Sequence, residues 1–280
     1  MTDKFYMINR RCVVGGMLAF GGGVVSQPVS AIAATDNPFS IKQHVANPDG
    51  FYVNSYLLVG EKSITLVDAQ LNEIEAQRIV DLIKSTGKPL EHIIITHTHP
   101  DHIMGLPTIG KAFPDAKIHS SPRSIDIIRK TAAHWKGFHN PTSPLLSGQF
   151  NFSGIAMECA LMPDAESIAP LVLFLPDSKT LVAGDHVLNG QHLWLAEGRA
   201  DNWLQNIADI KTRWPIATVL PGHGEMGGTE LLDITQTYIE RFKQAVGAKD
   251  RPTAKQQMLK HYSDWVFETA LNTSLAVYKG

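Results

Sequence analysis

The stretch THTHPDHIMG, residues 96 to 105, gathers His97, His99, Asp101 and His102 immediately after the apolar run Ile93-Ile94-Ile95. The run reads as a buried strand. In an extended segment alternate side chains point the same way, so His97 and His99 can reach one cation. Asp101 and His102, past the bend expected at Pro100, can turn toward a second. The competing reading is a solvated histidine-rich loop, or a helix N-terminus capped by Asp101. Four ligand-type side chains this close together favour the metal.

Working outward, FYVNSYLLVG (51–60), the turn at Glu61-Lys62 and SITLVDAQ (63–70) read as a hairpin. Residues 72–85 place Ile74, Ile79, Val80 and Ile83 on one helical face, and Gly87 ends that helix. LPTIGKAF (106–113) and 122–133 read as helices flanking the short strand AKIHS (116–120), and 134–146 reads as a loop. Strands are expected over 150–162, 170–175 and 180–184, with Pro176-Asp177-Ser178 as a turn. Helices over 201–213 and 229–246 bracket the strand ATVL (217–220), which runs into PGHGE, and the tail over 255–277 reads as helical packing.

Two further candidates stand at strand ends, where loops carry function on a rigid scaffold. Asp185 follows TLVAG and His223 follows ATVLPG; their plainer readings are a turn aspartate and a loop histidine. His186 would point away from Asp185 in an extended segment and so supports the structure around it. The stretch PDAES (163–167) is stranger, since Asp164 and Glu166 interrupt a core between IAMECALM and LVLFL.

The motif HTHPDH resembles the HxHxDH signature of the metallo-β-lactamase superfamily. Asn54-Ser55-Tyr56-Leu57-Leu58 with Leu66-Val67-Asp68 is similar to that family's opening hairpin, Gly184-Asp185-His186 to its bridging-aspartate motif, and Pro221-Gly222-His223-Gly224 to its last ligand loop. The resemblance covers roughly residues 51 to 225. It implies an α/β fold, a four-layer αββα sandwich with its ligands on loops at one edge of two packed sheets. It also implies two divalent cations, zinc by default. His97, His99 and Glu166 would hold one, Asp101, His102 and His223 the other, and Asp185 would bridge.

One position departs from the family. A third histidine is usual in a loop reading roughly PGHT, but no histidine occurs between His139 and His186, and Pro163-Asp164-Ala165-Glu166 stands in its place. Two histidines and a glutamate make an attested zinc site. The pattern resembles the alkylsulfatase branch, where glutamate takes this position, although this chain is too short for that branch's extra C-terminal domains. Glu166 is the expected ligand and Asp164 its rival. A hard oxygen there tilts the site toward iron or manganese.

A hydroxide held between two cations suits hydrolysis of a small ester, lactone or amide. Asp101 would orient that nucleophile or pass a proton to the leaving group. Phe51, Asn54, Trp135, His139, His192 and Trp194 are candidate lining residues, suggesting a partly apolar substrate. β-Lactam hydrolysis stays open, with Glu166 counting against it. A mononuclear iron oxygenase and an inactive metal-binding or scaffold protein are the alternatives. Neither GxSxG nor GxxxxGK occurs.

Composition bounds the rest. The chain has 280 residues, 44% of them hydrophobic, enough for a full core, and a net charge of −2 without any long run of like charge. Nucleic acid is therefore not an expected partner; a small molecule is. Residues 1 to 33 combine Lys4, Arg10 and Arg11 with the weakly apolar CVVGGMLAFGGGVV and Ala31-Ile32-Ala33, which reads as a twin-arginine-like export signal with the periplasm as destination. General secretion and a retained anchor are the alternatives, but the apolar stretch is short for a span. Cleavage would remove a net +2, leaving −4, and would take Cys12 away, so that Cys159 stands alone as a packing thiol in a domain over 34–280.

Overall fold

Strands that are apolar at every position have two faces to bury. In β2 (Asn54–Val59), Leu57 and Val59 point one way and Tyr56 and Leu58 the other. The same alternation separates Ile93 from Ile94 in β4 (Leu90–Ile94), and Val172 and Phe174 from Leu171 and Leu173 in β9 (Leu171–Leu175). The computed structural model, which describes residues 39–132, 135, 137–248 and 250–278, shows what covers each face. Residues 1 to 33, where the sequence leads one to expect an export signal, lie outside the described residues.

One sheet has the order β1 (Ser40–Val45), β2, β3 (Ile64–Val67), β4, β5 (Lys117–Ser120), β6 (Ser143–Pro144). The second runs β11 (Thr218–His223), β10 (Thr180–Leu188), β9, β8 (Ile155–Leu161), β7 (Gly148–Phe152). Tyr56, Leu58, Val67 and Ile94 of the first meet Met157, Leu171, Leu173, Val182 and Leu220 of the second in a shared core. Cys159 lies in that core, and burial pushes its thiol up to about 12, the chemistry of a packing residue.

The outer face of the first sheet is covered by α1 (Glu73–Ser85), α3 (Leu106–Ala112) and α4 (Pro122–Thr131), through Ile79, Ile83, Leu106, Ile109 and Ile128. The outer face of the second is covered by α5 (Ala200–Arg213), α6 (Glu230–Val246), α7 (Arg251–Leu259) and α8 (Glu268–Val277), through Trp203, Ile207, Tyr238, Phe242, Met258 and Leu271. The result is an αββα sandwich. No helix among the described residues is long and apolar enough to cross a membrane.

Several elements differ from the sequence reading. Phe51 and Tyr52 are not strand residues: both take left-handed backbone, at φ 60° and 58°, after a 3-10 turn over Pro48–Gly50, and β2 starts at Asn54. β1 was not anticipated. The single strand expected over 150–162 is the hairpin β7–β8, because Ser153 and Gly154, at φ 55° and 79°, close a two-residue turn. Ile74 is 68% exposed; the buried stripe of α1 is Ala76, Ile79, Val80 and Ile83, with Glu75 buried by its contacts to His44 and Arg78. The helical tail consists of α7 and α8.

A histidine pair lies between the sheets. His119 Nε2 of β5 is 3.0 Å from His92 Nδ1 of β4, and both rings lie against Phe152 of β7. Burial, then His92, brings His119 down to about 4. A histidine held neutral in the fold contributes its stability fully above the unfolded value of ~6.5 and loses it as pH falls toward 4, by at most ~1.4 kcal/mol per pH unit. Between pH 6.5 and 4, then, His119→Asn is expected to show a shallower acid slope than the parent in urea unfolding at pH 7, 6 and 5. Parallel slopes would remove this account.

Candidate metal centre

β3 and β4 run parallel and end side by side, as do β10 and β11. The residues that leave these four ends meet at one edge of the sandwich. There the two sheets are stitched by backbone: Leu171 N donates to Thr96 O at 2.9 Å, and Val53 forms an isolated bridge with His223. Side chains add to the stitch, since Asn54 Nδ2 and Tyr56 Oη both donate to Pro221 O.

His97 follows β4, and His99 caps a one-turn helix, α2 (Pro100–Ile103), that carries Asp101 and His102. Asp185 lies within β10 and His223 closes β11. His97, His99, Glu166 and Asp185 each bring a donor atom within 4.8 Å of the others', and Asp101, His102 and His223 do the same. Asp185 faces both sets: Oδ2 is 3.7 Å from His97 Nε2 and 3.4 Å from His223 Nε2, and Oδ1 is 3.2 Å from His102 Nε2. Glu166 Oε1 is 2.9 Å from His99 Nδ1, and Asp101 Oδ2 is 3.3 Å from His223 Nε2.

The far side of each ring is held. Asp68, left-handed at φ 58° just past β3, accepts from Thr96 N and Thr96 Oγ1 and pairs with His102 Nδ1, all at 2.8 Å. His223 Nδ1 donates to Phe51 O at 2.8 Å, and Thr96 Oγ1 is 3.0 Å from His97 Nδ1. Each contact directs Nε2 inward. Gly222 is required by contact: a Cβ there would lie 1.8 Å from Asp185 Oδ1.

The two carboxylates of PDAES have different tasks. Asp164 takes both oxygens to Arg123 and accepts from Ala169 N at 2.9 Å, closing the loop on its outer side. Arg199 Nε, Asn202 Nδ2 and Asn206 Nδ2 donate to the carbonyls of Ala165, Asp164 and Pro163, tying the loop to α5. Glu166, 3% exposed, points inward. The structure therefore brings Glu166, and not Asp164, to the histidines.

A divalent cation fits this centre. Buried and without a well-aligned hydrogen-bond partner are His97 Nε2, His102 Nε2, both oxygens of Glu166 and Asp185 Oδ1, a set of ligand-type atoms aimed at one place. The electrostatics agree. Burial lowers His97, whereas the surrounding carboxylates outweigh burial at His99, lifted to about 9, and His223, lifted to about 10. Burial alone would raise Asp101 and Asp185, but His102 and His223 hold both low, and burial raises Glu166. Within the cluster the acids and the histidines beside them balance one another's charge.

His186 faces α5, buried, with Nε2 3.1 Å from Asn206 Nδ2 and its carbonyl accepting from Trp203 Nε1. The predicted lining set is corrected at two places. Asn54 is buried as part of the sheet stitch, and His192 is buried against Tyr238 Oη and Trp265. His139 packs against Gly110 of α3 and Trp135 against Phe138, while Phe51 contributes its carbonyl and a ring packed at a tilt against Phe267. Asp68 and Gly222 escaped the sequence reading as functional residues. An acid directly after the mostly apolar run ITLV was the available signal for Asp68; for Phe51 O there was none.

Comparison with known proteins agrees with this geometry. The family model described as the metallo-beta-lactamase superfamily matches residues 48–223, and the chain belongs to that superfamily. It is 42% identical over 82 residues to the uncharacterized protein YobT of Bacillus subtilis, 29% of this chain and 35% of that one, so the match spans about a third of that relative's length. It is 26% identical over 185 residues to the metallo-beta-lactamase type 2 of Bacillus cereus, 64% of this chain and 70% of that one. A solved metallo-beta-lactamase from Pontibacter korlensis shares the fold, with a TM-score of 0.63 at 18% identity, covering 76% of this chain and 99% of that one.

The loop geometry gives a clear mutational contrast. Glu166→Ala is expected to weaken metal binding at the first cluster by at least about 10-fold, while Asp164→Ala keeps its metal and loses only ~1 kcal/mol of stability. Elemental analysis after dialysis decides, and loss of metal from Asp164→Ala alone would reverse the assignment. Gly222→Ala, pressing on Asp185, is expected to lose metal like a ligand mutant.

Proposed function

We propose that this superfamily member hydrolyses small esters, lactones or amides with two divalent cations, zinc foremost. His97, His99 and Glu166 would hold one cation and Asp101, His102 and His223 the other, with Asp185 available to both. The observation that carries the reading is the convergence of ligand-type atoms from His97, His102, Glu166 and Asp185, none with a well-aligned hydrogen bond, in one buried place that faces both ligand sets. Cations bound there lower the pKa of water to ~7 and polarise the scissile carbonyl.

The chain's own groups do the rest. Asp101, with its side chain 15% exposed, is the carboxylate nearest solvent among the three acids of the centre. Held ionised by His102 and His223, its Oδ2 can accept the proton of the attacking water and return it to the leaving group. Asp68 keeps His102 oriented, and the floor of buried His97, His102 and His223 excludes bulk water. β-Lactams belong in the substrate class because the Bacillus cereus relative carries the lactamase name. Glu166, where a histidine would be usual, favours other acyl substrates.

The purified protein is expected to hold about two equivalents of metal, to lose turnover on chelation and to regain it with zinc, manganese or iron. Asp101→Ala is expected to lower kcat by roughly 10²-fold or more. A panel of esters, lactones and amides, β-lactams included, supplies the measurement. A fully loaded protein that turns over none of them, and that Asp101→Ala leaves unchanged, would sink the hydrolase; oxygen uptake with a thiol-derived substrate would put an oxygenase in its place.

A further inference from the structure

We propose that the C-terminal segment positions His223, with the Phe267 ring packing against Phe51 to hold the Phe51 carbonyl on His223 Nδ1. This rests on the reading of His223 as a metal ligand given above. The ring of His223 reaches the centre through Nε2 only while Nδ1 donates outward, and its acceptor is the backbone oxygen of Phe51, 2.8 Å away. That oxygen belongs to a residue in an uncommon conformation. Phe51 is left-handed at φ 60° and ψ 22°, and Tyr52 after it at φ 58°. Bulky aromatic residues adopt this backbone only where their surroundings impose it.

What meets Phe51 from outside is Phe267, its ring centroid 4.9 Å away at an interplanar angle of 33°. Phe267 is itself left-handed, at φ 61° and ψ 44°, as the residue that starts α8. Incidental packing does not need strained backbone on both partners. A second route leads from the same segment to the same histidine. Val266 N donates to Gly190 O at 3.1 Å and Val266 O accepts from His192 N at 3.0 Å, fixing the strand-like stretch whose Asn189 N donates to His223 O at 3.0 Å. Ring and carbonyl of His223 are thus both tied back to residues 266–267. Leu195 N donating to Ser274 Oγ anchors α8 behind them. Phe267 lies well past residue 223, where the family match ends, so this support is carried by a part of the chain outside the shared region.

Phe267→Gly accepts the left-handed backbone and removes only the ring, and Phe267→Tyr keeps the ring. Phe267→Leu, apolar without the aromatic face, takes the place of Phe267→Gly if that variant does not fold. Each metal-free protein is titrated with cobalt(II) against a chromophoric chelator to give a constant for each equivalent, and thermal unfolding reports the fold. The equivalent lost in His223→Ala marks the affected site. In Phe267→Gly that equivalent is expected to weaken about 10-fold while the other moves less than about 2-fold, with Phe267→Tyr matching the parent. A parent that binds two equivalents and a Phe267→Gly with both constants unchanged overturn this proposal alone, as does equal weakening of both equivalents, the signature of general loosening. A parent whose binding is indifferent to His223→Ala overturns the reading of the centre, and this proposal with it.

Discussion

The carboxylate of Asp68 is the interaction on which the edge of the sandwich depends. It lies past the end of β3, at φ 58°, and accepts from Thr96 N and Thr96 Oγ1 beyond the end of β4 while pairing with His102 Nδ1 in α2. One buried acid thus joins two adjacent strand ends to the helix that carries two ligand-type side chains. The backbone around it is committed to the same purpose. Ala69 N donates to His102 O and Gly105 N to Gln70 O, and Gly105 comes so near that a Cβ would lie 1.8 Å from Ala69 O. Without that acid, Thr96 N would be a buried donor lacking its partner and His102 would be free to choose either tautomer.

The centre lies at a seam, which explains both its precision and its rigidity. Leu171 N to Thr96 O, the bridge between Val53 and His223, and the bonds of Asn54 and Tyr56 to Pro221 O all cross from one sheet to the other at that edge. Three elements therefore fix Glu166: α5 through Arg199, Asn202 and Asn206, α4 through Arg123, and the start of β9 through Leu171. Two acids two residues apart are an unstable design in a flexible loop, where either could turn inward. Asp164 is prevented from doing so by Arg123 and Ala169 N, and its 27% exposed side chain stays on the solvent side. One carboxylate builds the loop, and the other uses it.

Legibility in the sequence followed how local each feature was. His97, His99, Asp101 and His102 are contiguous, so period and residue type were enough to read them, and Asp185 and His223 stood at the ends of apolar runs. The alternating strands and the helices α1, α4, α5 and α6 were legible for the same reason. What depends on backbone conformation or distant partners was not. The turn at Ser153-Gly154 looked like strand because its flanks are apolar, and Phe51-Tyr52 looked like strand because aromatic residues usually are. Asp68 became functional only once Thr96 and His102, 28 and 34 residues onward, lay beside it. The pairing of Phe51 with Phe267 spans most of the chain and leaves no local pattern at all.

The protonation pattern shows how such a centre folds before it is loaded. Three carboxylates, Asp101, Glu166 and Asp185, share a buried space with four histidines, and a fold that left the acids uncompensated there would be strongly destabilised. In the metal-free chain the histidines supply the compensation: His99 is lifted to about 9 and His223 to about 10, and the acids beside His102 are held low. His97 is the exception, lowered by burial and by the neighbouring His102, so at neutral pH it keeps a free lone pair on Nε2. Neutral His97 among charged neighbours is thus the arrangement that burial and the local charges together favour.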